Sequence, residues 1–462
     1  VGGTIYENPA EILANRDVDS KRNRVLGYFK TEYEFFNDFK ATVNLNLENN
    51  ATQTNVYKPS YAVMEGQTEG GYGQKTFGEY TTGQVEAYLN YNKIFGKNSI
   101  NAMAGYTYLE NVYQGFGAQR SGFETDLFGY NNLGAGHDYR IGDVYSYKGR
   151  SNLVSYFARA NYAYDSRYIF TATVRRDGSS RFGENNKWGT FPSAAVAWNI
   201  TNEEFMESSQ SWLNNLKLRI SYGVTGNQDG IGEYKSLSIL GVGQDSYYDP
   251  ASDSWSLAYS PTQNANPDLK WESTAQTNIG LDFTVFKGLS GSVEFYSKLT
   301  SDLLYTYEVP QPPYLVGTML ANVGDLSNKG YEITLNADII NNDKFTLNAN
   351  LTFAHNDQKI EKLSNDQYDT NGVIYSGSLH GLAGMSGQYA QVIAEGYPVG
   401  TFWGYECYGL DENGEFILSE EQTAIGDVEP DFSLGFGMNA TYKNFDFGFT
   451  GYGLFGQQAL NA

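Results

Sequence analysis

Cysteine is nearly missing from this chain: Cys407 stands alone among 462 residues. One thiol cannot close an intrachain disulfide, form a redox pair or hold a cysteine metal cluster, and it says little about compartment. Histidine is almost as scarce. His137, His355 and His380 lie far apart without HExxH spacing, and no serine sits in a GxSxG elbow. Positive charge is short as well, since 31 Lys and Arg face 53 Asp and Glu, leaving a formal charge of −22. Phosphate binding relies on clustered cations, so this balance argues against a nucleic-acid partner. Carboxylates this numerous form pairs by chance, and no spacing selects a glycosidase pair. No enzyme activity, cofactor or metal is expected. Long apolar runs are lacking too: no window holds 18 uninterrupted apolar residues, and the mean hydropathy is −0.47. That excludes a helical membrane protein but not a β-barrel, whose strands carry only alternating hydrophobicity. Val1 opens the chain with no basic or apolar leader, so any export signal has been removed or lies outside this sequence.

What is plentiful is Tyr (38 residues) and Gly (51 residues), a β-rich signature. Alternation of period two recurs throughout. Tyr331, Ile333, Leu335, Ala337 and Ile339 alternate with Glu332, Thr334, Asn336 and Asp338, placing the apolar groups on one strand face. After Asn341-Asn342-Asp343 the pattern resumes from Phe345 to Phe353, which predicts a tight hairpin. Further tight turns are expected at 165–167, 287–288 and 443–444. Further strands fit 24–34, 40–48, 82–91, 98–109, 190–200 and 215–224, giving roughly 14 segments of about ten residues, the length a tilted barrel strand needs. Long polar connections are expected at about 50–80, 110–150, 225–270 and 356–430, beyond ordinary loop length. Short turns on one side and long loops on the other match an outer-membrane barrel; a soluble β-sandwich needs no such asymmetry.

Four local motifs have plain readings. Gly451-Tyr452-Gly453-Leu454-Phe455-Gly456 matches GxGxxG but follows an aromatic strand, so its glycines are expected to relieve crowding rather than bind a nucleotide. Asp411-Glu412-Asn413-Gly414-Glu415 opens like a calcium loop with its glycine two places early, and reads as a polar turn. Arg175 to Gly183 reads as a reversal at Asp177-Gly178 with the arginines facing carboxylates. Tyr247, Tyr248 and Trp255 fall in an acidic polar loop, and their ring faces are the candidate substrate contacts.

Several strings together resemble the barrel of SusC/RagA-type TonB-dependent transporters. They include Ser155 to Tyr164, Arg176-Asp177-Gly178-Ser179-Ser180-Arg181-Phe182-Gly183, Phe191-Pro192-Ser193, Gly226-Asn227-Gln228, Asn266-Pro267-Asp268-Leu269-Lys270-Trp271-Glu272, Asn328-Lys329-Gly330, Glu395-Gly396-Tyr397-Pro398 and Tyr442 to Asp446. The match runs along about 150–456, with 1–150 fitting more loosely. The resemblance implies a barrel of about 22 strands that imports oligosaccharides or peptides with TonB-transmitted energy and a SusD-like surface lipoprotein. It also implies that residues 1–462 are part of one such barrel, with the plug domain and final strands not included. Tyr162, Tyr164 and Tyr168 suit a membrane interface.

The expected fold is therefore all-β: a transmembrane antiparallel β-barrel segment with short periplasmic turns and long extracellular loops, set in outer-membrane lipid. The expected function is non-enzymatic import of a neutral or cationic oligomer too large for passive diffusion. The alternative is a secreted or surface carbohydrate-binding or adhesive protein, in which the loop aromatics would form the binding surface.

Overall fold

The computed structural model describes residues 9–62, 65–140, 142–286, 288–364, 368, 370, 372–379 and 386–460. The chain divides into two units, one of Val1–Leu89, Gly105–Tyr156 and Gly178–Ser180, the other of Asn90–Ala104, Phe157–Asp177 and Arg181–Ala462.

The first unit draws on α1 (Pro9–Asn15), β1 (Asp17–Phe35), β2 (Phe39–Lys58), α2 (Glu65–Glu69), β3 (Tyr72–Phe95), β4 (Asn98–Phe123), β5 (Gly136–Asp138) and β6 (Val144–Tyr164), the last residues of β3 and β6 and the first of β4 belonging to the second unit. β1 and β2 pair antiparallel without a slip from Asp17–Tyr57 to Phe35–Phe39. Phe36 and Asn37 make the reversal with φ of 51° and 56°, two successive left-handed residues of the kind a tight hairpin turn demands. One face is polar: Asn44 donates to Glu86 at 2.9 Å.

The second unit continues with β7 (Tyr168–Ser179, its last two residues belonging to the first unit), β8 (Trp188–Asn199), β9 (Leu213–Asn227), β10 (Ile239–Asp249), β11 (Ser254–Gln263), β12 (Glu272–Val285), β13 (Leu289–Ser301), β14 (Leu304–Glu308), β15 (Thr318–Asn322), β16 (Asp325–Asn341), β17 (Phe345–Lys362), β18 (Val373–Ser378), β19 (Tyr389–Ala394), β20 (Thr401–Gly404), β21 (Cys407–Leu410), β22 (Phe416–Leu418), β23 (Thr423–Gly426), β24 (Phe432–Tyr442) and β25 (Phe445–Phe455). Neighbours follow in the order β8-β9-β12-β13-β16-β17-β24-β25. The other strands form small sheets of their own inside the long connections: β10-β11, β14-β15, β18-β19-β20-β23 and β21-β22.

The short turns fall where the alternation places them. Asp165 and Ser166 carry φ of 53° and 54°, and Arg167 N–H donates to the Tyr164 carbonyl at 2.9 Å. Lys443 carries φ of 51° between the facing ends Tyr442 and Phe445. Lys287, in the turn after β12, lies outside the described residues, as does His380.

Two expectations are corrected. Strands are much longer than ten residues: β3 has 24 and β4 has 26, so parts of 50–80 and 110–150 expected to be loop are strand. Only about 9–11 residues are needed to cross the hydrocarbon, and beyond it polar side chains on both faces are solvated while the backbone ladder continues. Alternation therefore fades before the strand ends. Asp177 and Gly178 also lie inside β7, so the reversal falls later, after Ser179. The Asp177 side chain is held there by Arg175 at 2.8 Å rather than capping a turn.

Candidate transport surfaces

The registers of β9 to β25 sort side chains into rows across the strands. One face carries the row Leu218, Leu281, Val293, Ile333, Phe353 and Leu434, and beside it Ile220, Ile279, Phe295 and Tyr331. Many of these groups are uncovered: Phe295 is 55% exposed and Ile279 46%. A contiguous apolar face of this extent is costly in water and fits contact with lipid. The aromatic strand β25 extends it with Phe445, Phe447 and Phe449, all exposed. Gly451 leaves space there, because a Cβ on it would stand 2.5 Å from the Phe436 ring across the ladder.

The opposite face is polar. Asn336 pairs with Asn350 and Thr334 with Thr352. At its centre Arg219 of β9 donates to both oxygens of Asp282 at 2.8 and 2.7 Å and to Glu294 of β13 at 2.6 Å. Gly280 lies between Arg219 and Glu294 in register, and its missing side chain leaves the guanidinium room to span β12. Sequence reasoning missed this group; its only trace is a charge recurring at the polar phase of three apolar-alternating strands.

On the side of the long connections, two of the family-like strings meet. Phe182 and Leu269 are fully buried, and the Trp271 ring packs tilted at 4.5 Å from Phe182 and edge-on at 5.5 Å from Phe191. Gly183 N–H donates to the Leu269 carbonyl at 2.9 Å, and a Cβ on Gly183 would lie 2.0 Å from the Pro267 carbonyl oxygen. Asn266 donates to the Leu320 carbonyl at 2.8 Å, and Asn322 donates to Lys270, tying in the β14-β15 ribbon. That ribbon has its own core of Tyr307, Met319, Ala321, Val323 and Tyr368. The Tyr307 hydroxyl donates to the Val323 carbonyl at 3.1 Å, and burial pushes its pKa up to about 12.

Tyr247, Tyr248 and Trp255 occupy a ribbon rather than an irregular loop. Tyr248 faces Trp255 and Tyr247 faces Ser256 across β10-β11, so Tyr247 and Tyr248 point to opposite sides. The register break between Val242 and Ser246 disrupts the alternation that would have marked this strand. Tyr247 is 61% exposed; Tyr248 donates to Asp253; the Trp255 side chain lies outside the described ones. The ribbon thus brings Tyr248 and Trp255 into register and separates Tyr247 from them. At 411–415 the Asp411 carboxylate accepts from the N–H groups of Asn413 and Glu415 at 2.8 and 2.9 Å, which lowers its pKa and makes the polar turn expected.

At the opposite strand ends, Glu203 gathers a network around the 165–167 turn. It accepts from Tyr168 at 2.6 Å, Trp198 at 2.9 Å and Arg167 at 3.2 Å. Lys97 reaches Asp165 at 2.7 Å, and Tyr162 donates to Asn98 at 2.6 Å. Hydrogen bonding from Tyr168 and Trp198 holds the Glu203 carboxyl below its usual pKa, and Lys97 does the same for Asp165.

The family model described as "TonB dependent receptor-like, beta-barrel" matches residues 2–458. The chain is 34% identical to the TonB-dependent receptor P3 of Formosa agariphila, over 96% of this chain and 45% of that protein. It is 31% identical to the TonB-dependent receptor SusC of Bacteroides thetaiotaomicron, over 96% of this chain and 44% of that one. A solved structure of the RagAB peptide importer in its closed-closed state superposes with a TM-score of 0.80 at 24% identity, covering 96% of this chain and 49% of its counterpart, a likeness of fold. The chain thus spans under half the length of these curated relatives. It belongs to the TonB-dependent receptor β-barrel family, whose members are proteins of the outer membrane.

Proposed function

We propose that this chain forms wall and outer connections of an outer-membrane importer that takes up oligosaccharides or oligopeptides, using TonB-transmitted energy and a SusD-like surface lipoprotein. One observation carries the reading: an exposed apolar band on one face of β9 to β25, backed by a polar face that bears Arg219, Asp282 and Glu294. A lipid-embedded wall needs an apolar outside and a wetter inside. Family membership and the SusC and RagAB likenesses support import by the whole protein. A secreted adhesive protein with this band would expose it to water, which disfavours the alternative reading.

In this reading the wall stays rigid, its strands locked by long registers. The sheets inside the connections collect substrate with the lipoprotein, and Tyr247, Tyr248 and Trp255 are the proposed aromatic contacts. Residues 1–462 form a section of one barrel. The test is uptake of labelled oligosaccharide and oligopeptide pools by cells carrying the full-length protein, with and without TonB and the lipoprotein. Uptake of either pool that needs both supports the reading; uptake unchanged by deleting the receptor itself overturns it.

A further inference from the structure

The first unit contains a cleft of about 330 Å³ whose lining reverses the charge of the chain. Arg16, Lys58, Arg120 and Arg140 line it against only Glu69 and Asp143, in a protein of net charge −22. Both carboxylates are engaged. Glu69 takes the Arg140 guanidinium at 3.1 and 2.9 Å, while Asp143 accepts from the Arg140 N–H at 2.6 Å and from the Gln119 amide at 3.1 Å. The cations are also placed. Arg120 lies over the Tyr139 ring at 4.4 Å and 3.7 Å from Asp143, and Lys58 lies over the Tyr72 ring at 5.8 Å. The Tyr72 hydroxyl is fixed by Gln119 at 2.9 Å. The cleft sits where β2 ends and β3 begins, away from the tight turns at 36–38 and 96–97.

We propose that this cleft binds an oxyanion, a carboxylate or sulfate group carried by an acidic oligomer. An excess of cations in a half-enclosed polar cleft attracts such a group and favours it over neutral competitors by charge rather than by shape. The abundant negative charge elsewhere repels an anionic ligand, so competing anion sites on the rest of the surface are disfavoured. The inference rests on the import reading for the source of the ligand. Its test uses purified protein without TonB, so a failure here leaves that reading to the uptake experiment.

The full-length protein in detergent is titrated at low salt with a sulfated oligosaccharide, its desulfated counterpart and an oligoglutamate of similar length. At least tenfold tighter binding of the sulfated compound than of the desulfated one is expected, weakening as salt rises. The double variant Arg16→Gln with Lys58→Gln should abolish that preference. Glu69→Gln, which releases Arg140 from its partner, should strengthen anion binding several-fold. Preference for oligoglutamate over the sulfated glycan supports the oxyanion site and assigns its source to peptides. Equal binding of the sulfated and desulfated compounds, with no binding of oligoglutamate, overturns the proposal, as does a preference that the double variant retains. If that variant does not fold, Glu69→Gln decides alone: unchanged or weaker binding overturns it.

Discussion

The Tyr168 hydroxyl, at the first position of its strand, donates to Glu203 at 2.6 Å, and the same carboxylate oxygen accepts from the Trp198 indole at 2.9 Å. Two interface-type aromatics from neighbouring strands are thus fixed by one carboxylate beside a tight turn. Glu203→Gln keeps the shape but removes the charge that Arg167 also faces. Chemical unfolding should shift to lower denaturant, and Glu203→Ala should shift it further. Equal midpoints for wild type and both variants would reduce the network to decoration.

Acid should loosen the same turn. Glu203 and Asp165 are held below their usual pKa, so their contribution to stability is complete above the unfolded carboxylate range, about 3.9–4.3, and is lost as pH falls through their lowered values. Amide-exchange protection at 165–168, taken relative to the intrinsic exchange rate at each pH, should be unchanged from pH 7 to 5 and fall more steeply than global protection below about pH 4. In Glu203→Gln that excess should shrink.

Leu335 and Asn336 lie on opposite faces of β16, paired with Leu351 and Asn350. Leu335→Lys should cost about 2–4 kcal/mol in vesicle folding if it reaches the bilayer midplane, whereas Asn336→Asp should be tolerated. Equal damage from the two would mean that both faces are buried.

Orientation can be read by labelling. In a Cys407→Ser background, Ser252→Cys, between β10 and β11, should react with an impermeant thiol reagent on intact cells. Ser166→Cys, in the tight turn, should react only after the outer membrane is opened. The reverse pattern would invert the orientation, and labelling of both on intact cells would favour a secreted or surface-attached fold.

Gly183→Ala should strain the buried clasp, because its Cβ has 2.0 Å to the Pro267 carbonyl oxygen. A cost of about 1–3 kcal/mol is expected, as for other overpacked sites. The measurement is protease sensitivity of 225–270 against that of the tight turns. Raised sensitivity confined to the long connection supports the clasp, while no change would mean that Pro267 moves aside freely.

Much of this architecture was legible because a strand with one lipid face writes its period into the sequence. The run Tyr331 to Leu335 and the turn at Asp165-Ser166 were found that way. The bulge beside Ile339 was not, since a bulge inserts a residue without changing local composition. The continuation of β2 through Asn49, Asn50 and Thr52 to Lys58 was missed because side chains beyond the hydrocarbon need no alternation. The Glu203 network and the Arg219 group were illegible for another reason: each joins distant segments, and only the fold sets their spacing. The aromatic ribbon was hidden by its register break.

The unbroken pairing of β1 with β2, from the Phe35–Phe39 end to the Asp17–Tyr57 end, bears on how such a chain can vary. Deleting one residue in mid-strand, for example at Leu45, would turn every later side chain of β2 to the other side, moving lipid-facing groups into water and polar ones into hydrocarbon at once. The same deletion in the 126–143 connection shifts no register between these strands. Length variation among relatives should therefore collect at the far ends of the hairpins, leaving the membrane-crossing spans nearly fixed in residue number even where their sequences have drifted apart.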